Sequence, residues 1–269
     1  MGAPLRLAVV RCLVMGVVNV TPDSFSDGGR FFEPGAAVAH GLELVEAGAD
    51  LLDVGGESTR PGATPVDPDE ECRRVLPVIA ALAPHARVSV DTRHAEVAEA
   101  AVDAGATLIN DVSASLWEVA AARGVGWVAV HMQGTPETMQ RQPHYDDVVA
   151  EVAGILADRA ATARAAGVRE VWVDPGIGFG KTRAHNLALL RHLRRLAGLG
   201  EPLLVGTSRK GFLGELTGGA PADDRLEASL ATAVWAMTQG AGMVRVHDVA
   251  PVVQAARLVG EDVVLQEAS

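Results

Sequence analysis

The chain has 269 residues, of which 48% are hydrophobic and 4% aromatic, and its formal net charge is −11. This length suits one large α/β domain, and the acidic balance argues against nucleic acid or an anionic membrane as a partner. Cys12 and Cys72 have neither metal-site nor disulfide spacing, and we expect neither a secretory signal nor a membrane-spanning run. These features predict a cytoplasmic protein whose partners are small molecules.

Eight short apolar runs predict buried strands, because strands covered on both faces lack the polar alternation of half-exposed ones. In chain order they are residues 13–18, 50–54, 87–90, 107–109, 127–130, 170–173, 202–205 and 243–246. Ala-rich stretches with helical spacing separate them, the clearest being residues 35–47, 69–83, 96–104, 146–166, 186–197 and 225–239. A shorter helix is predicted around residues 115–123. Glycines such as Gly48 and Gly105 stand where a helix must end and turn into the next strand.

The repeated unit predicts an α/β fold, a closed parallel (β/α)8 TIM barrel. Eight units of similar size favour a barrel over the alternative, a doubly wound open sheet. No Pro/Gly/Ser linker, charge run or shift in composition divides the chain. We therefore predict a single domain over residues 1–269, with its core at about residues 13–260.

Polar side chains stand at the ends of seven of the eight predicted strands. In a barrel the carboxyl ends of all strands meet at one rim, and active sites are built there. Strand seven is the exception, because it leads into Gly206. The polar strand-end residues are Asn19, Asp53, Asp91, Asn110, His131, Asp174 and Arg245.

The loops after strands seven and eight predict an anion site, since barrels frequently bind phosphate there. Residues 206–211 follow strand seven, and Arg245 and His247 close strand eight. Residues two apart on a strand share a face, so a guanidinium and an imidazole at these positions can hold one diphosphate together. We expect Lys210, Arg245 and His247 to be the catalytic residues.

Three other strand-end side chains suit a flat heterocycle with an amino-pyrimidinone edge. Asp91 and Asp174 can accept hydrogen bonds from its N–H groups, and Asn110 can serve its acceptors. Lys210 is the natural cation for the ring carbonyl and a ring nitrogen. Apolar walls for the ring are expected from Met132 and Phe179.

Two features of the sequence resemble known binding sites, a phosphate-binding P-loop and a histidine metal site, but do not meet their requirements. The segment 176–182 resembles a P-loop, but Pro175 stands where a P-loop needs its first glycine. We interpret it as a flexible loop after strand six, with Lys181 as a solvated surface charge. His131 and His144 lack metal-site spacing and are expected to have structural or solvent-facing roles.

At these residues the chain resembles the dihydropteroate synthase family. The shared stretches cover most of the chain in order, and the first and the seventh are together nearly diagnostic. They are MGVVNVTPDSFSDGG from Met15, DVGGESTRPGA from Asp53, SVDT from Ser89, LINDVSA from Leu108, HMQGTPETMQ from His131, DPGIGFGK from Asp174, GTSRKGFLG from Gly206 and VRVHDV from Val244.

The resemblance implies a homodimeric transferase of folate biosynthesis. It would condense 6-hydroxymethyl-7,8-dihydropterin diphosphate with 4-aminobenzoate, giving 7,8-dihydropteroate and diphosphate, with Mg²⁺ as cofactor. The implied pterin site is Asp91, Asn110, Asp174 and Lys210, with Met132, Phe179 and Gly206 around the ring. Asn19 is the implied metal ligand, and the diphosphate contacts are Asn19, Thr59, Arg245 and His247. The implied 4-aminobenzoate pocket, where sulfonamides also bind in this family, is Phe25, Thr59, Arg60, Pro61 and Ser208.

One departure from the family pattern is visible after LINDVSA, where the loop is shorter than usual. We expect the local shape of that loop to differ, without a change at Asn110. Three alternatives stay open: a pterin-binding methyltransferase, a catalytically silent paralogue that only binds pterin, and a sugar-phosphate barrel. The last gives no account of the set Asp91, Asn110 and Asp174.

Overall fold

Eight parallel strands form the centre of the computed structural model, which describes residues 11–21, 34–58 and 62–260. The strands are β1 Leu13–Asn19, β2 Leu51–Gly55, β3 Arg87–Asp91, β4 Leu108–Asp111, β5 Gly126–Val130, β6 Val171–Asp174, β7 Leu204–Val205 and β8 Met243–Val246. The α-helices in the described part are α1 Pro34–Glu46, α2 Pro68–Leu82, α3 Ala95–Asp103, α4 Trp117–Arg123, α5 Val148–Ala165, α6 Arg183–Arg191, α7 Leu193–Ala197, α8 Gly211–Leu216, α9 Leu226–Thr238 and α10 Val249–Gly260.

The strands close into a barrel. Their order is β6-β5-β4-β3-β2-β1-β8-β7, and every pair is parallel. An isolated parallel bridge between Val173 and Leu203 joins β6 to β7, so the two ends of the sheet meet. The predicted (β/α)8 barrel is confirmed, and the open doubly wound sheet is wrong.

The hydrophobic core has two parts. A larger cluster lies between the strands and the helices and is built mainly from small and branched side chains, which allow close packing of helix on sheet. A smaller cluster comes from the strands and the loop after β4, so it fills the inside of the barrel. Met132 and Phe179 pack against this inner cluster, so they lie at its carboxyl end.

Two predicted elements differ from the structure. The helix expected over residues 186–197 is split into α6 and α7 at His192, where φ is −112° and ψ is 19°. The His192 Nδ1 atom lies 2.8 Å from the carbonyl oxygen of Ala188, so the side chain competes with the helical backbone there. Strand seven is shorter than residues 202–205, because Pro202 has no N–H to donate to a neighbouring strand.

Candidate active site

A cleft of about 1120 Å³ opens at the carboxyl ends of the strands. Residues from β1, β3 and β8 and from the loops after β2, β6 and β7 line it, and they include Asn19, Asp91, Phe179, Lys210 and Arg245. The barrel therefore brings side chains that are far apart in sequence to one rim, as the strand-end rule predicts.

Asp174 and Lys210 form an oppositely charged pair at one side of this rim. The Oδ1 atom of Asp174 accepts a 2.7 Å hydrogen bond from the Gly176 amide. Lys210 donates from Nζ to the carbonyl oxygen of Ile177 and lies 4.3 Å from the centre of the Phe179 ring. Burial raises the pKa of Asp174, although Lys210 opposes the shift, and burial lowers the pKa of Lys210 to about 8. The pair therefore sits in a largely dry pocket with a cation over an aromatic face.

Asn110 carries an unused acceptor, whereas the sequence predicted that it would donate to the acceptors of the ring. Its Nδ2 donates a 2.9 Å hydrogen bond to Oδ2 of Asp53. Its Oδ1 is buried and has no hydrogen-bond partner within the described part of the chain, and the same is true of Oδ1 of Asp53 and Oγ of Ser89. A buried polar atom without a partner is unfavourable by about 1–3 kcal/mol, so a ligand that supplies a donor near the end of β4 would satisfy Oδ1 of Asn110.

Arg245 joins two carboxylates across the barrel. Its Nε donates to Oδ2 of Asp53 at 2.6 Å, and its Nη2 donates to Oδ2 of Asp91 at 2.8 Å. Burial raises the pKa of Asp91 to about 7, while Arg245 opposes the shift. Burial disfavours the charge on Arg245, but Asp53 and Asp91 raise its pKa overall. Asp53 was predicted as a strand-end residue without a role, but it lies in the middle of β2, and an Asp within an apolar strand was the available signal.

The anion side of the cleft is built by the loops after β7 and β8, which are held together at two points. The Oγ atom of Ser208 accepts from the amide of His247 at 3.2 Å and lies 3.0 Å from its Nδ1. Arg209, with φ at 59°, donates to both carboxylate oxygens of Asp248, at 3.1 Å and 2.6 Å. Gly206, Ser208, Arg245 and His247 therefore line one cleft, as the sequence predicts.

Asn19 ends β1 and lines the same cleft. The amide of the next residue, Val20, donates to the carbonyl oxygen of Gly55 at 2.7 Å, which continues the pairing of β1 with β2 up to the rim. The other four residues predicted for the diphosphate and 4-aminobenzoate contacts lie outside the described residues. They are Phe25, Thr59, Arg60 and Pro61.

The start of the loop after β2 is held by a Glu–Arg pair that no sequence motif indicated. Both carboxylate oxygens of Glu57 accept from Arg93, each at 3.0 Å, and Oε1 also accepts from the Val66 amide at 3.2 Å. Among the described residues, Glu57, Glu71 and His94 are close enough to share a metal ion. The guanidinium of Arg93 already neutralises the Glu57 carboxylate, so the positive charge that this cluster needs is supplied by the protein itself.

Asp111 shapes the loop after β4. Its carboxylate accepts from the amides of Ser113, Ser115 and Leu116 at 2.7–2.8 Å and from the Trp127 indole at 3.1 Å. This set fixes the loop from inside the sheet, so Asn110 keeps its place at the end of β4.

Lys181 contradicts the sequence prediction of a solvated surface charge, since it is only 2% exposed. Its Nζ donates to the carbonyl oxygen of Phe179 at 2.9 Å and lies 2.9 Å from Nδ1 of His131. Gly176 explains the fold of this segment, because it has φ at 63° and a Cβ there would lie 1.8 Å from the carbonyl oxygen of His131. Only glycine allows this approach, and the segment is a tight hydrogen-bonded turn against the end of β5.

The fold and the site together define a class of protein. The rim combines carboxylates, an amide acceptor and a lysine with a serine, a histidine and an arginine, and the arginine is bonded to two of the carboxylates. Such a rim is suited to an enzyme that binds a flat nitrogen heterocycle bearing an anionic group.

Comparison with known proteins identifies the heterocycle. The family model for "Pterin binding enzyme" matches residues 15–247. The dihydropteroate synthase of Escherichia coli K12 is 46% identical over 254 residues, covering 91% of this chain and 90% of the relative. A Xanthomonas albilineans dihydropteroate synthase solved with 4-aminobenzoic acid has a TM-score of 0.87 at 51% identity, over 93% of this chain and 92% of that chain. A Yersinia pestis dihydropteroate synthase solved with a sulfonamide drug has a TM-score of 0.87 at 44% identity, over 94% of both chains.

The chain therefore belongs to the dihydropteroate synthases of the pterin-binding enzyme family. The predicted transferase of folate biosynthesis is confirmed by these relatives.

Proposed function

We propose that the cleft holds the pterin ring at Asp91, Asn110, Asp174 and Lys210. The observation that carries this assignment is the unpartnered, buried Oδ1 of Asn110 on the same rim as the Asp174–Lys210 pair. A pterin presents an amino group and a ring N–H beside a carbonyl. The Asp174 carboxylate and Oδ1 of Asn110 can accept from the two kinds of N–H group, and Lys210 can donate to the carbonyl. The Phe179 ring supplies an apolar face.

The diphosphate is assigned to the part of the cleft next to the pterin site, at Ser208, Arg245 and His247. In the reaction, the C–O bond between the pterin methylene and the diphosphate breaks, and a C–N bond to the aromatic amine forms. The amine then loses one proton, and diphosphate departs with the electron pair of the broken bond. An aromatic amine is a weak nucleophile, so the chain gains most by stabilising the departing anion with fixed donors and charges.

Arg245 links the two sides of the site. It is bound to Asp53 and Asp91 in the structure, and its guanidinium lines the cleft beside His247. Charge that develops at the methylene can spread into the pterin ring held by the carboxylates. The same guanidinium can then stabilise the leaving group without leaving its buried partners unneutralised.

The 4-aminobenzoate pocket is assigned beside Ser208. The Xanthomonas albilineans relative was solved with 4-aminobenzoic acid, which supports the assignment of the same compound to this chain. Phe25, Thr59, Arg60 and Pro61 complete the proposed pocket from outside the described residues, and Thr59 also serves the diphosphate. A sulfonamide would occupy the same place, since the Yersinia pestis relative was solved with such a drug.

Mg²⁺ is assigned to Asn19 together with oxygens of the bound diphosphate. Mg²⁺ prefers oxygen ligands and keeps several waters, so one neutral carboxamide oxygen at the cleft fits a cation that it shares with a phosphate. When bound, the ion would neutralise part of the diphosphate charge. Asn19 would hold the ion at the rim, and Ser208 and His247 would orient the diphosphate.

A homodimer in the cytoplasm completes the proposal. Leu216 on α8 and Leu226 and Trp235 on α9 are 40–49% exposed, and large exposed apolar side chains are typical of a surface that a second copy can cover. Among the described residues no helix is long and apolar enough to cross a bilayer. Cys12 and Cys72 are both free thiols, as a reducing compartment requires.

The direct test is a diphosphate-release assay with both substrates and Mg²⁺. We expect one diphosphate per dihydropteroate formed, and no release when 4-aminobenzoate is omitted or the metal is chelated. Binding of pterin without release would identify a catalytically silent paralogue instead. Transfer of a methyl group without diphosphate release would identify a pterin-binding methyltransferase.

A further inference from the structure

The sequence contains only two lysines among its 23 basic residues, and both lie at the pterin side of the cleft. Lys210 is a proposed pterin contact. Lys181 is buried behind the turn that carries Phe179, and the proposed function gives it no role. A buried ammonium is unfavourable unless its hydrogens and its charge are compensated, so its surroundings indicate what it does.

Three acceptors surround the three hydrogens of the Lys181 ammonium. They are Nδ1 of His131 at 2.9 Å, the carbonyl oxygen of Phe179 at 2.9 Å and the carbonyl oxygen of His131 at 3.3 Å. Burial, followed by the charge of Lys181, lowers the pKa of His131 to about 3, so this imidazole is neutral and can accept. Lys181 therefore fastens the end of β5 to the turn after β6.

The fastened turn is part of the proposed pterin pocket. It contains Ile177, whose carbonyl accepts from Lys210, and Phe179, whose ring faces Lys210. The hydroxyl of Tyr145 donates to the carbonyl oxygen of Gly180 at 2.9 Å, which holds the far side of the same turn.

The charge of Lys181 acts on titratable groups from four elements. Asp174 at the end of β6 gains stabilisation of its ionised form, and Lys210 is a like charge. His131 at the end of β5 and His185 on α6 have their pKa values lowered by burial and by Lys181. The Tyr145 ring lies 6.0 Å from Nζ. Asp174 is the one carboxylate among these groups, so it is the group whose negative charge stabilises the buried ammonium of Lys181.

We propose that Lys181 is a positioning residue of the pterin site, which fixes the Phe179 turn through hydrogen bonds and adds its charge to that of Lys210 in favouring the ionised form of Asp174. The proposal rests on pterin binding at this cleft. An ionised Asp174 is needed to accept N–H groups of the pterin, so binding and protonation of Lys181 favour each other. Pterin binding must then raise the pKa of Lys181, and pterin affinity must fall as pH rises through that pKa.

The two-lysine composition allows this coupling to be measured directly. Protein labelled with ¹³C at lysine Cε gives two signals, and Lys181→Met assigns them. We expect the Lys181 signal of the free protein to titrate near neutral pH, in line with the lowering of its pKa to about 7 by burial. Saturation with 6-hydroxymethylpterin is expected to move that titration to higher pH. If Lys181→Met does not fold, Lys210→Met assigns the signals by elimination.

Calorimetric titration of 6-hydroxymethylpterin gives the second readout. Lys181→Met is expected to bind about tenfold more weakly near neutral pH, as expected when a charged hydrogen-bonding group is lost. The affinity of the wild type for the pterin is expected to fall as pH rises through the pKa of Lys181. In Lys181→Met this fall should be absent. Lys210 remains in both proteins and contributes equally. Arg191→Met, which removes an exposed positive charge from α6, is the matched control and should bind like the wild type.

Three results would overturn the proposal. One is a Lys181 titration that pterin does not move, and another is wild-type affinity in Lys181→Met at every pH. The third is weaker binding with an unchanged pH profile, which would mean that Lys181 only supports the fold. A wild type that binds no pterin at all would instead contradict the proposed function.

Discussion

At the scale of single residues, Arg245 has the most consequential contacts. One guanidinium serves Asp53 and Asp91, which come from two neighbouring strands; the Asp53 side chain is fully buried and that of Asp91 is 13% exposed. Two carboxylates this close in a dry pocket repel each other unless a cation lies between them. The arginine therefore supports the pocket as well as the proposed chemistry, and its loss should be visible in both.

Replacing Arg245 with Ala is expected to lower kcat by about 100-fold or more, as for the loss of a strong electrostatic donor. It is also expected to lower the free energy of unfolding by roughly 3 kcal/mol, the low end for breaking a buried ion pair, because the side chain is 20% exposed. Steady-state kinetics and urea unfolding measure the two effects. Arg87→Ala is the control, because it breaks the Arg87–Glu170 pair at the amino-terminal ends of β3 and β6. This variant should keep kcat within about twofold of the wild type. Unchanged turnover in Arg245→Ala would refute its catalytic assignment.

The buried Lys181 predicts a pH dependence of stability. Burial lowers its pKa from 10.5 to about 7 in the folded protein, so between these values the unfolded chain binds a proton that the folded protein has released. The free energy of unfolding should therefore rise with pH through this window and fall as pH is lowered toward about 7. In Lys181→Met this rise should be smaller, as measured by urea unfolding at several pH values. Equal slopes in the two proteins would contradict the assigned pKa shift.

At the scale of elements, the sequence predicted all eight strands, and Asn19, Asp91 and Asp174 are the last residues of theirs, whereas Asp53 lies in the middle of β2. The end of a strand follows from a local pattern, so the positions of Asp91, Asn110 and Asp174 near strand ends were predictable without coordinates, while their role in pterin binding stays a proposal. The position of Lys181 was not predictable in this way, because it depends on a turn that Gly176 allows against a different strand. The break at His192 and the partners of Arg245 also depend on contacts between distant parts of the chain.

The loop after β2 provides a test at this scale. The Glu57 carboxylate ties the outgoing arm of the loop to Val66 on its returning arm and to Arg93, which follows β3 by two residues. Glu57→Gln keeps the shape but weakens these bonds. We expect the KM for 4-aminobenzoate to rise about tenfold while the KM for the pterin diphosphate changes by less than about twofold.

The matched control for Glu57 is Glu201→Gln. Glu201 also receives two bonds from one arginine, Arg164, but it lies before β7, at the end of the barrel away from the cleft. Its kinetic constants should equal those of the wild type. Equal rises in both KM values for Glu57→Gln would show that the pair supports the whole rim and not the loop.

At the scale of the whole molecule, the barrel brings residues from distant parts of the sequence to one cleft. Residues as far apart as Asn19 and His247 line one cleft, and Asp174 and Arg245 act on each other's pKa. The barrel rule predicted this meeting from the strand pattern alone. The closure between β6 and β7 depends on one bridge beside a strand that Pro202 shortens, and no local pattern in the sequence shows that contact.

The most direct measurement is a crystal structure of the protein with a pterin diphosphate analogue. The ring is expected to bind with its N–H groups on the Asp174 carboxylate and on Oδ1 of Asn110, and the tail beside Ser208 and His247. Electron density for the ring elsewhere, such as at the opposite end of the barrel beside Arg87 and Glu170, would contradict the account.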